Sequence, residues 1–329
     1  MSVRYLRHLW ESDLSKTLIA LFLVCAGIGI ARPRTFLTFN NFINVLSQTS
    51  VNGALAVGMS FILLTGGIDL SVGSVAAFSS LITAMLLVDG HNIFVALMAG
   101  FAVAVSIGAF SGLLVDKLSL PPFIVTLSTM TIFRGTTIVV SQGKPVTQLG
   151  DAFSYIGVKY IGFIPISILI MGGMFLVSYY ALHHTRFGRY VYAMGGNKEA
   201  ARLSGINTTA ITISVYVICA FCASIAGMIM ASRVNSATPT TADGAEMDAI
   251  AAAVIGGVSL SGGKGKIMGS LIGVLLIGVL NNGLVLLDID VFWTKVVKGL
   301  IILFAVIVDT LSKSADKFSS AKELRSSSK

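Results

Sequence analysis

IFVALMAGFAVAVSIGAFSGLLV, residues 93–115, runs without a single charged residue. An α-helix rises about 1.5 Å per residue, so a run of this length can cross the roughly 30 Å hydrocarbon core of a bilayer. Gly100, Ala104, Gly108 and Gly112 recur every four residues and therefore lie on one face of that helix. A face of small residues lets helices approach closely in a membrane, and we favour this packing role over a role in binding a substrate.

The composition of the whole chain also indicates a membrane protein. Of its 329 residues, 55% are hydrophobic and only 12% are charged, against roughly 25% charged in soluble domains. So few charges cannot cover a soluble surface, which argues against a secreted scaffold, a nucleic-acid-binding domain and a soluble enzyme. The net charge of +8 falls in loops and in a terminal tail. We therefore predict a single all-α polytopic membrane domain.

About ten apolar segments are predicted as transmembrane helices. One of them, 247–260, is short, and the alternatives for it are a re-entrant segment or a half-length helix. The predicted spans divide the chain into an N-terminal segment 1–16, a transmembrane domain 17–311 with the polar loop 184–208, and a basic tail 312–329. The predicted spans are 17–31, 43–65, 71–88, 92–115, 121–142, 162–182, 209–231, 247–260, 267–286 and 293–311.

Lys and Arg residues are distributed unevenly between the two sides of this predicted bundle. If the N-terminus lies in the cytoplasm, most of them fall in cytoplasmic segments, as the positive-inside rule requires. An even number of spans then places the C-terminus in the cytoplasm as well. We expect a multi-pass protein with both termini cytoplasmic.

Ionisable residues are rare within the spans, although transporters driven by ion gradients often carry them there. Asp69, Asp248 and Asp309 fall near predicted span ends, and the sequence shows no proton relay. Arg134 is the clearest charge inside a span. We interpret Arg134 as a structural anchor that pairs or reaches the interface, rather than as a functional group.

The sequence lacks the motifs of nucleotide hydrolysis and covalent catalysis. No Gly-Lys pair fits the Walker phosphate loop, G-x-x-x-x-G-K-[ST]. Cys219 and Cys222 form C-x-x-C within an apolar helix that has no His or further Cys nearby, so core packing is the favoured interpretation. We expect no catalytic residue, no metal and no cofactor in this chain.

The segment HTRFGRYVYAMGGNKEAARLSGINT, residues 184–208, is a long polar loop that the charge distribution places in the cytoplasm. Asn197 is a favourable N-cap, Glu199 falls in a first helical turn, and Gly205 can end the helix in a left-handed conformation. A helix this short is unstable in water on its own and must pack against something. It either caps the bundle or docks a cytoplasmic partner.

Two glycine-rich turns are predicted on the same side of the membrane as this loop. In TGGIDLS, residues 65–71, the glycines supply a permissive backbone, and Asp69 or Ser71 can cap the next helix. We interpret this segment as a structural turn rather than a substrate contact. GGVSLSGG, residues 256–263, is similar and hints at an internal repeat. The residues assigned to structural turns are Gly66, Gly67, Asp69, Gly256 and Gly257.

Several segments resemble the ribose-type branch of the sugar permeases, within the binding-protein-dependent ABC permeases. Glu199-Ala200-Ala201-x-x-x-Gly205 is similar to the E-A-A-x-x-x-G core of the cytoplasmic coupling loop of that family, without its downstream Ile-x-Leu-Pro. The order and spacing of the similar segments match along nearly the whole chain. They are GMSFILLTGGIDLSVGS (58–74), HHTRFGRYVYAMGGNKEAARLSGI (183–206), EMDAIAAAVIGGVSLSGGKGK (246–266) and LNNGL (280–284).

This resemblance implies the permease subunit of an ATP-driven importer in the inner membrane of a bacterium. The partners it implies are a second copy of the chain, a cytoplasmic ABC ATPase that holds ATP and Mg²⁺, and a periplasmic sugar-binding protein, with no nucleic acid. The implied substrate is a small neutral sugar, D-ribose before other monosaccharides. The ATPase-coupling segment carried over is Gly195, Gly196, Asn197, Lys198, Glu199, Ala200, Ala201, Arg202, Leu203, Ser204 and Gly205.

A neutral sugar needs hydrogen-bonding side chains rather than charges along its path, so we assign a possible translocation pathway from uncharged polar residues. Two other hypotheses stay open. One is a gradient-driven carrier that works without an ATPase, and the other is a membrane scaffold whose polar residues only join helices. The pathway candidates are Asn44, Gln48, Asn52, Ser71, Asn281 and Asn282.

Overall fold

The computed structural model describes residues 13–290 and, beyond them, residues 293, 296, 297, 299, 300, 303 and 307. Residues 1–12, the predicted tail 312–329 and most of the predicted span 293–311, including Asp309, lie outside the described residues. The helices are α1 (Asp13–Ala31), α2 (Pro33–Phe36), α3 (Phe39–Leu64), α4 (Val72–Val88), α5 (Ile93–Lys117), α6 (Pro122–Ser141), α7 (Asp151–Gly157), α8 (Ile166–His184), α9 (Arg186–Gly196), α10 (Lys198–Leu203), α11 (Thr208–Val234), α12 (Ala245–Ile255) and α13 (Ile267–Leu286).

Seven of these helices are long and apolar enough to cross a membrane: α1, α3, α5, α6, α8, α11 and α13. They correspond to seven of the predicted spans and confirm the polytopic all-α prediction. The helix α4 is apolar but has 17 residues. The helix α12 has 11 residues, which cover about half of the hydrocarbon core, in agreement with the half-length alternative for 247–260.

Local sequence explains where several of these helices begin and end. The side chains of Thr38, Asn92 and Asn207 each accept a hydrogen bond from a backbone amide in the first turn of α3, α5 and α11 respectively. Gln142 and Asn235 adopt left-handed conformations and end α6 and α11. Short polar residues therefore set the boundaries that apolar periodicity alone leaves uncertain.

The strands are short and lie in the connections between helices. Strand β1 (Val146–Thr147) pairs antiparallel with β4 (Ser236–Ala237), with Val146 opposite Ala237. Strands β2 (Tyr160–Ile161) and β3 (Ile164–Pro165) form a hairpin with Tyr160 opposite Pro165. The first pair joins the loop that follows α6 to the loop that follows α11, whereas the hairpin lies within the connection between α7 and α8.

The core of the bundle forms around α3 and α11, in which most residues are buried. The helix α11 packs against α3, α4 and α5, and α13 packs against α3 and α12. Large apolar side chains on the outer helices face outward instead, with Phe22 72% and Val139 76% exposed. This distribution suits a bundle whose surroundings are lipid, because lipid chains are as apolar as these side chains.

The small-residue face of α5 packs on α11, which confirms the packing interpretation. Gly100, Ala104, Gly108 and Gly112 are all buried. A Cβ atom added to Gly108 would lie 2.6 Å from the carbonyl oxygen of Tyr216, and one added to Gly112 would lie 2.9 Å from the Cα of Ile213. The two backbones are therefore too close for any side chain larger than hydrogen at these positions.

We expect Gly108→Ala to lower the free energy of unfolding by about 1–3 kcal/mol, because the added methyl group overpacks the contact between α5 and α11. Gly173→Ala in α8 is the matched control, since nothing lies within 4 Å of its added Cβ. The measurement is SDS-induced unfolding of both variants in mixed micelles. Equal midpoints for Gly108→Ala and Gly173→Ala would contradict the observed packing.

Candidate functional site

The predicted coupling helix is present as α10, and its ends follow the sequence signals. The side chain of Asn197 accepts a hydrogen bond from the amide of Ala200 at 2.9 Å. Gly205 has φ +84°, and its amide and that of Ile206 donate to carbonyl oxygens of α10 at 3.0 and 3.1 Å. Gly195 and Gly196 belong to the last turn of the preceding helix, α9, rather than to α10. The predicted coupling segment thus comprises the end of α9 and the whole of α10, joined at Asn197.

One side of α10 is held against the bundle. Ala201 is buried, and the ammonium group of Lys198 forms a 2.9 Å ion pair with the carboxylate of Asp116 at the end of α5. The carboxylate of Asp116 is nearly buried and also accepts a 3.4 Å hydrogen bond from Thr212 of α11. Thus α10 is fastened to the ends of two helices of the core.

The other side of α10 faces away from the protein. Leu203 is 83% exposed. Glu199 and Arg202 form an exposed ion pair at 2.9 Å, three residues apart on the helix. The side of α10 that carries Leu203 and this ion pair is therefore accessible to another protein.

Three backbone segments meet at the end of α9, and we call this contact the glycine junction: residues 64–67, 195–196 and 261–265. The amide of Gly263 donates a 2.9 Å hydrogen bond to the carbonyl oxygen of Leu64. A Cβ atom on Gly195 would collide with that same carbonyl oxygen and lie 2.5 Å from the amide nitrogen of Gly263. The hydroxyl of Tyr192 donates to the carbonyl oxygen of Gly265 at 2.9 Å. The coupling segment therefore touches the end of α3 and the loop that follows α12.

The residues assigned to structural turns lie in or beside the glycine junction. Gly66 and Gly257 have φ +79° and +88°, which favours glycine. At Gly256 the constraint is space, because a Cβ there would lie 2.5 Å from the amide nitrogen of Ser270. The carboxylate of Asp69 accepts hydrogen bonds from the amide and hydroxyl of Ser71 at 2.8 and 2.6 Å.

A cavity of about 960 Å³ lies between α3, α11, the first turn of α12 and Gly299, and we call it the α12 cavity. The carboxylates of Glu246 and Asp248 fall in the first turn of α12, where the positive end of the helix dipole stabilises acids. The amide nitrogen of Asn52 lies 3.5 Å from the carboxylate of Asp248. The polar residues that line this cavity are Gln48, Asn52, Arg233, Thr240, Asp243, Glu246 and Asp248.

The N-terminal ends of α4 and α12 meet beside this cavity. A Cβ on Gly73, in the first turn of α4, would lie 2.7 Å from a carboxylate oxygen of Glu246. Arg134 donates two 2.8 Å hydrogen bonds to the carbonyl oxygens of Pro239 and Thr241, in the loop that leads into α12. These bonds confirm the structural interpretation of Arg134. In membrane transporters, discontinuous helices whose N-termini point into the bundle form ligand sites.

The structure brings some of the pathway candidates together and separates others. Gln48 and Asn52 line the α12 cavity, and Asn44 lines an adjoining cavity. Asn282 is buried and exchanges two hydrogen bonds with Asn41, at 3.1 and 2.9 Å, which joins α13 to α3. Ser71 is buried against Asp69, and Asn281 lines neither of these two cavities.

Sequence reasoning missed the charged residues of the α12 cavity. Asp243, Glu246 and Arg233 were placed in a loop or near a span end, where a charge usually faces solvent. The available signal was the shortness of the 247–260 segment, because a half-length helix must begin inside the bundle. Its first-turn acids then lie inside as well.

Known proteins match the chain along nearly its whole length. Residues 41–306 match the family described as branched-chain amino acid transport system / permease component. The chain is 46% identical over 310 residues to the ribose import permease protein RbsC of Escherichia coli (strain K12), covering 93% of this chain and 96% of that protein. It is 45% identical over 293 residues to RbsC of Bacillus subtilis (strain 168), covering 88% and 91%. It is 39% identical over 297 residues to the D-allose transport system permease protein AlsC of Escherichia coli (strain K12), covering 90% and 91%. No solved structure matches the chain.

We expect Gly195→Ala to loosen α9 and α10 from the bundle, because the new methyl group collides with the carbonyl oxygen of Leu64. Amide hydrogen exchange in residues 197–205 should become at least about 10-fold faster, which corresponds to roughly 1.4 kcal/mol. Gly196→Ala, at the next position in the same helix, is the control, since nothing lies within 4 Å of its Cβ. Equal exchange rates in the two variants would show that the junction does not hold the coupling segment.

Proposed function

Since the chain belongs to the family of branched-chain amino acid transport system permease components, we propose that it is the membrane-spanning permease subunit of an ATP-driven importer of D-ribose. The observation that carries this proposal is its similarity to ribose import permeases over nearly the whole chain. The D-allose permease is less similar, so D-ribose ranks above other monosaccharides. ATP and Mg²⁺ bind to a separate ATPase subunit, and the permease itself is not an enzyme.

The proposed complex lies in the inner membrane of a bacterium and holds two copies of this chain. The positive-inside rule supports cytoplasmic termini and places α9, α10 and the glycine junction at the cytoplasmic face. The ATPase subunit docks on the exposed side of α10. The periplasmic sugar-binding protein docks at the opposite end, near the loops that carry the short strands.

The glycine junction supplies a direct mechanical route from the ATPase to the α12 cavity. A displacement of α10 moves α9, and Gly195 then pushes on the carbonyl oxygen of Leu64 and on the loop around Gly263. Leu64 ends α3, which carries Gln48 and Asn52, and the Gly263 loop continues from α12, which carries Glu246 and Asp248. The α3 and α12 walls of the cavity are therefore both linked to α10 at the docking surface. The linking contacts are between backbone atoms, which move less independently than flexible long side chains.

The α12 cavity suits a small polyhydroxylated molecule. Its volume of about 960 Å³ exceeds that of a monosaccharide, and ligand cavities in proteins usually measure about 300–1,000 Å³. Amide groups donate and accept hydrogen bonds, carboxylates accept them and a guanidinium donates them, so these groups can match the hydroxyl groups of a sugar. Gln48 and Asn52 are the pathway candidates that we place in contact with the sugar.

The decisive experiment is uptake of labelled D-ribose into proteoliposomes that contain this chain, its ATPase and its binding protein. We expect uptake with ATP inside the liposomes and none when ATP or the binding protein is omitted. Uptake by this chain alone would indicate a gradient-driven carrier. No uptake of ribose, allose or xylose in the complete system would favour the scaffold hypothesis.

We expect Leu203→Asp and Glu199→Arg to weaken association with the ATPase by about 10-fold each, because a buried apolar contact and a charge at the docking surface are lost. Binding of the sugar-loaded binding protein should not change. Leu118→Asp is the control, since Leu118 is also exposed and lies at the same end of the bundle, at the end of α5. The measurement is the affinity of the detergent-solubilised permease for the purified ATPase. A similar loss in Leu118→Asp would mean that α10 is not the docking element.

A further inference from the structure

A stripe of amide side chains runs along one side of α3. Asn40, Asn44, Gln48 and Asn52 are spaced by four residues, so they share a face of this helix. Asn40, Asn44 and Gln48 are exposed, and Asn52 is half-buried. The side-chain amide of Gln48 donates a 3.2 Å hydrogen bond to the side-chain oxygen of Asn44. A row of exposed amides on a spanning helix is costly against lipid and requires a polar space in front of it.

Two cavities provide that space, one after the other. Gln48 and Asn52 line the α12 cavity, while Asn40 and Asn44 line a second cavity of about 560 Å³. The second cavity also contains the hairpin residues Tyr160, Phe163 and Pro165, and we call it the hairpin cavity. Its combination of aromatic rings and amides is typical of sites that bind sugars, since rings pack on the apolar faces of a sugar and amides bind its hydroxyl groups.

Arg233 lies between the two cavities and lines both of them. Its guanidinium group donates a 2.9 Å hydrogen bond to the carbonyl oxygen of Ser47, on the neighbouring turn of α3. Its aliphatic stem is packed, because a Cβ on Gly157 would lie 2.8 Å from the Cγ of Arg233. Among the residues that the structure describes, the guanidinium forms no ion pair and no other hydrogen bond. Most of its five N–H groups therefore remain available for a ligand.

We propose that Arg233 is the gate residue between the hairpin cavity and the α12 cavity, and that monosaccharide hydroxyl oxygens replace the carbonyl oxygen of Ser47 as its acceptors. The proposal rests on the proposed function, since the passing ligand is the sugar of the importer. The hydrogen bond to Ser47 separates the cavities when no sugar is present. A sugar that enters the hairpin cavity accepts hydrogen bonds from the guanidinium in place of the carbonyl oxygen of Ser47. Gln48 and Asn52 are the next hydrogen-bonding groups along α3.

The side chain of arginine suits this exchange. Its planar guanidinium is always charged and can donate two parallel hydrogen bonds to neighbouring hydroxyl oxygens. A lysine in its place would keep the charge and lose this paired geometry. The exchange breaks one hydrogen bond as another forms, so the guanidinium keeps at least one acceptor throughout.

The gate is tested by thiol labelling of the full chain, in complex with its ATPase, in spheroplasts. The probe is a neutral methanethiosulfonate that carries a glucosyl group, so that the charge of Arg233 does not attract or repel it. The parent carries Cys25→Ala, because Cys25 is partly exposed whereas Cys219 and Cys222 are buried. Asn44→Cys reports on the hairpin cavity and Asn52→Cys on the α12 cavity.

We expect Asn44→Cys to react quickly with or without the gate. Asn52→Cys should react slowly in the parent and at least 10-fold faster when Arg233→Met is added. The methionine keeps the packed stem and removes the donors, and Arg233→Gln is the second variant should the first fail to fold. Arg32→Ala is the matched control, because Arg32 pairs only with exposed Asp288 among the described residues, and it should leave both rates unchanged.

Two results of the labelling experiment would overturn the gate. One is a rate at Asn52→Cys that differs by less than twofold between the parent and the Arg233 variants. The other is a parent in which Asn44→Cys reacts no faster than Asn52→Cys, since the hairpin cavity would then not precede the α12 cavity.

A transport measurement tests the exchange with the sugar. ATP-driven ribose uptake should fall at least fivefold in Arg233→Met, and Arg233→Lys should give an intermediate rate, while both variants bind the ATPase normally. Unchanged uptake in Arg233→Met would contradict the proposal that Arg233 donates hydrogen bonds to the sugar as it passes between the cavities. Failure of the unmodified complex to take up ribose would instead overturn the proposed function, and the labelling rates would still decide whether Arg233 separates the cavities.

Discussion

The close approach of α11 to α3, α4 and α5 is the constraint on which the rest of the bundle depends. In lipid no hydrophobic force drives helices together, so tight van der Waals contact must supply the attraction. Gly58, Gly108 and Gly227 each bring two backbones so close that an added Cβ would lie within about 3 Å of backbone atoms across the contact. The three contacts fix α11 against α3, α5 and α4 respectively. Residues of α3 line both cavities together with Arg233 of α11, and the end of α3 takes part in the glycine junction.

The non-helical backbone segments within the bundle are surrounded by the core helices rather than by lipid. Backbone groups outside regular helices are tolerated at membrane depth only when protein or a wet cavity surrounds them. The segment 65–71 leads from the glycine junction to α4, and the segment 235–244 leads back into the bundle to α12. Asp69 and Arg134 provide the hydrogen bonds that these segments need. Interrupting two helices in this way places charged and polar groups beside a cavity and also links that cavity to the coupling segment.

Sequence predicted the long helices and the short helix α10 better than it predicted the cavities. Seven of the apolar runs, the spacing of Gly100 to Gly112 and the capping signal at Asn197 are local, and the structure confirms them. The position of Glu246 depends on where α12 begins, and the separation of Asn282 from Asn52 depends on which helices are neighbours. Both depend on contacts between segments distant in the chain. The polarity of the asparagines identified them as candidates. It could not distinguish an asparagine that forms a hydrogen bond between helices, such as Asn282, from one that lines a cavity, such as Asn52.

The buried position of α3 has a consequence for how the protein is made. This helix carries the amide stripe, and it has the lowest mean hydropathy of the seven spanning helices described. By contrast, α1 and α5 are strongly apolar and can leave the translocon for lipid independently. The helix α3 gains its full environment only when α11 arrives, more than 140 residues later in synthesis. Until then the nascent chain must keep this partly polar helix in the membrane with only the earlier-made helices of the chain to pack against it.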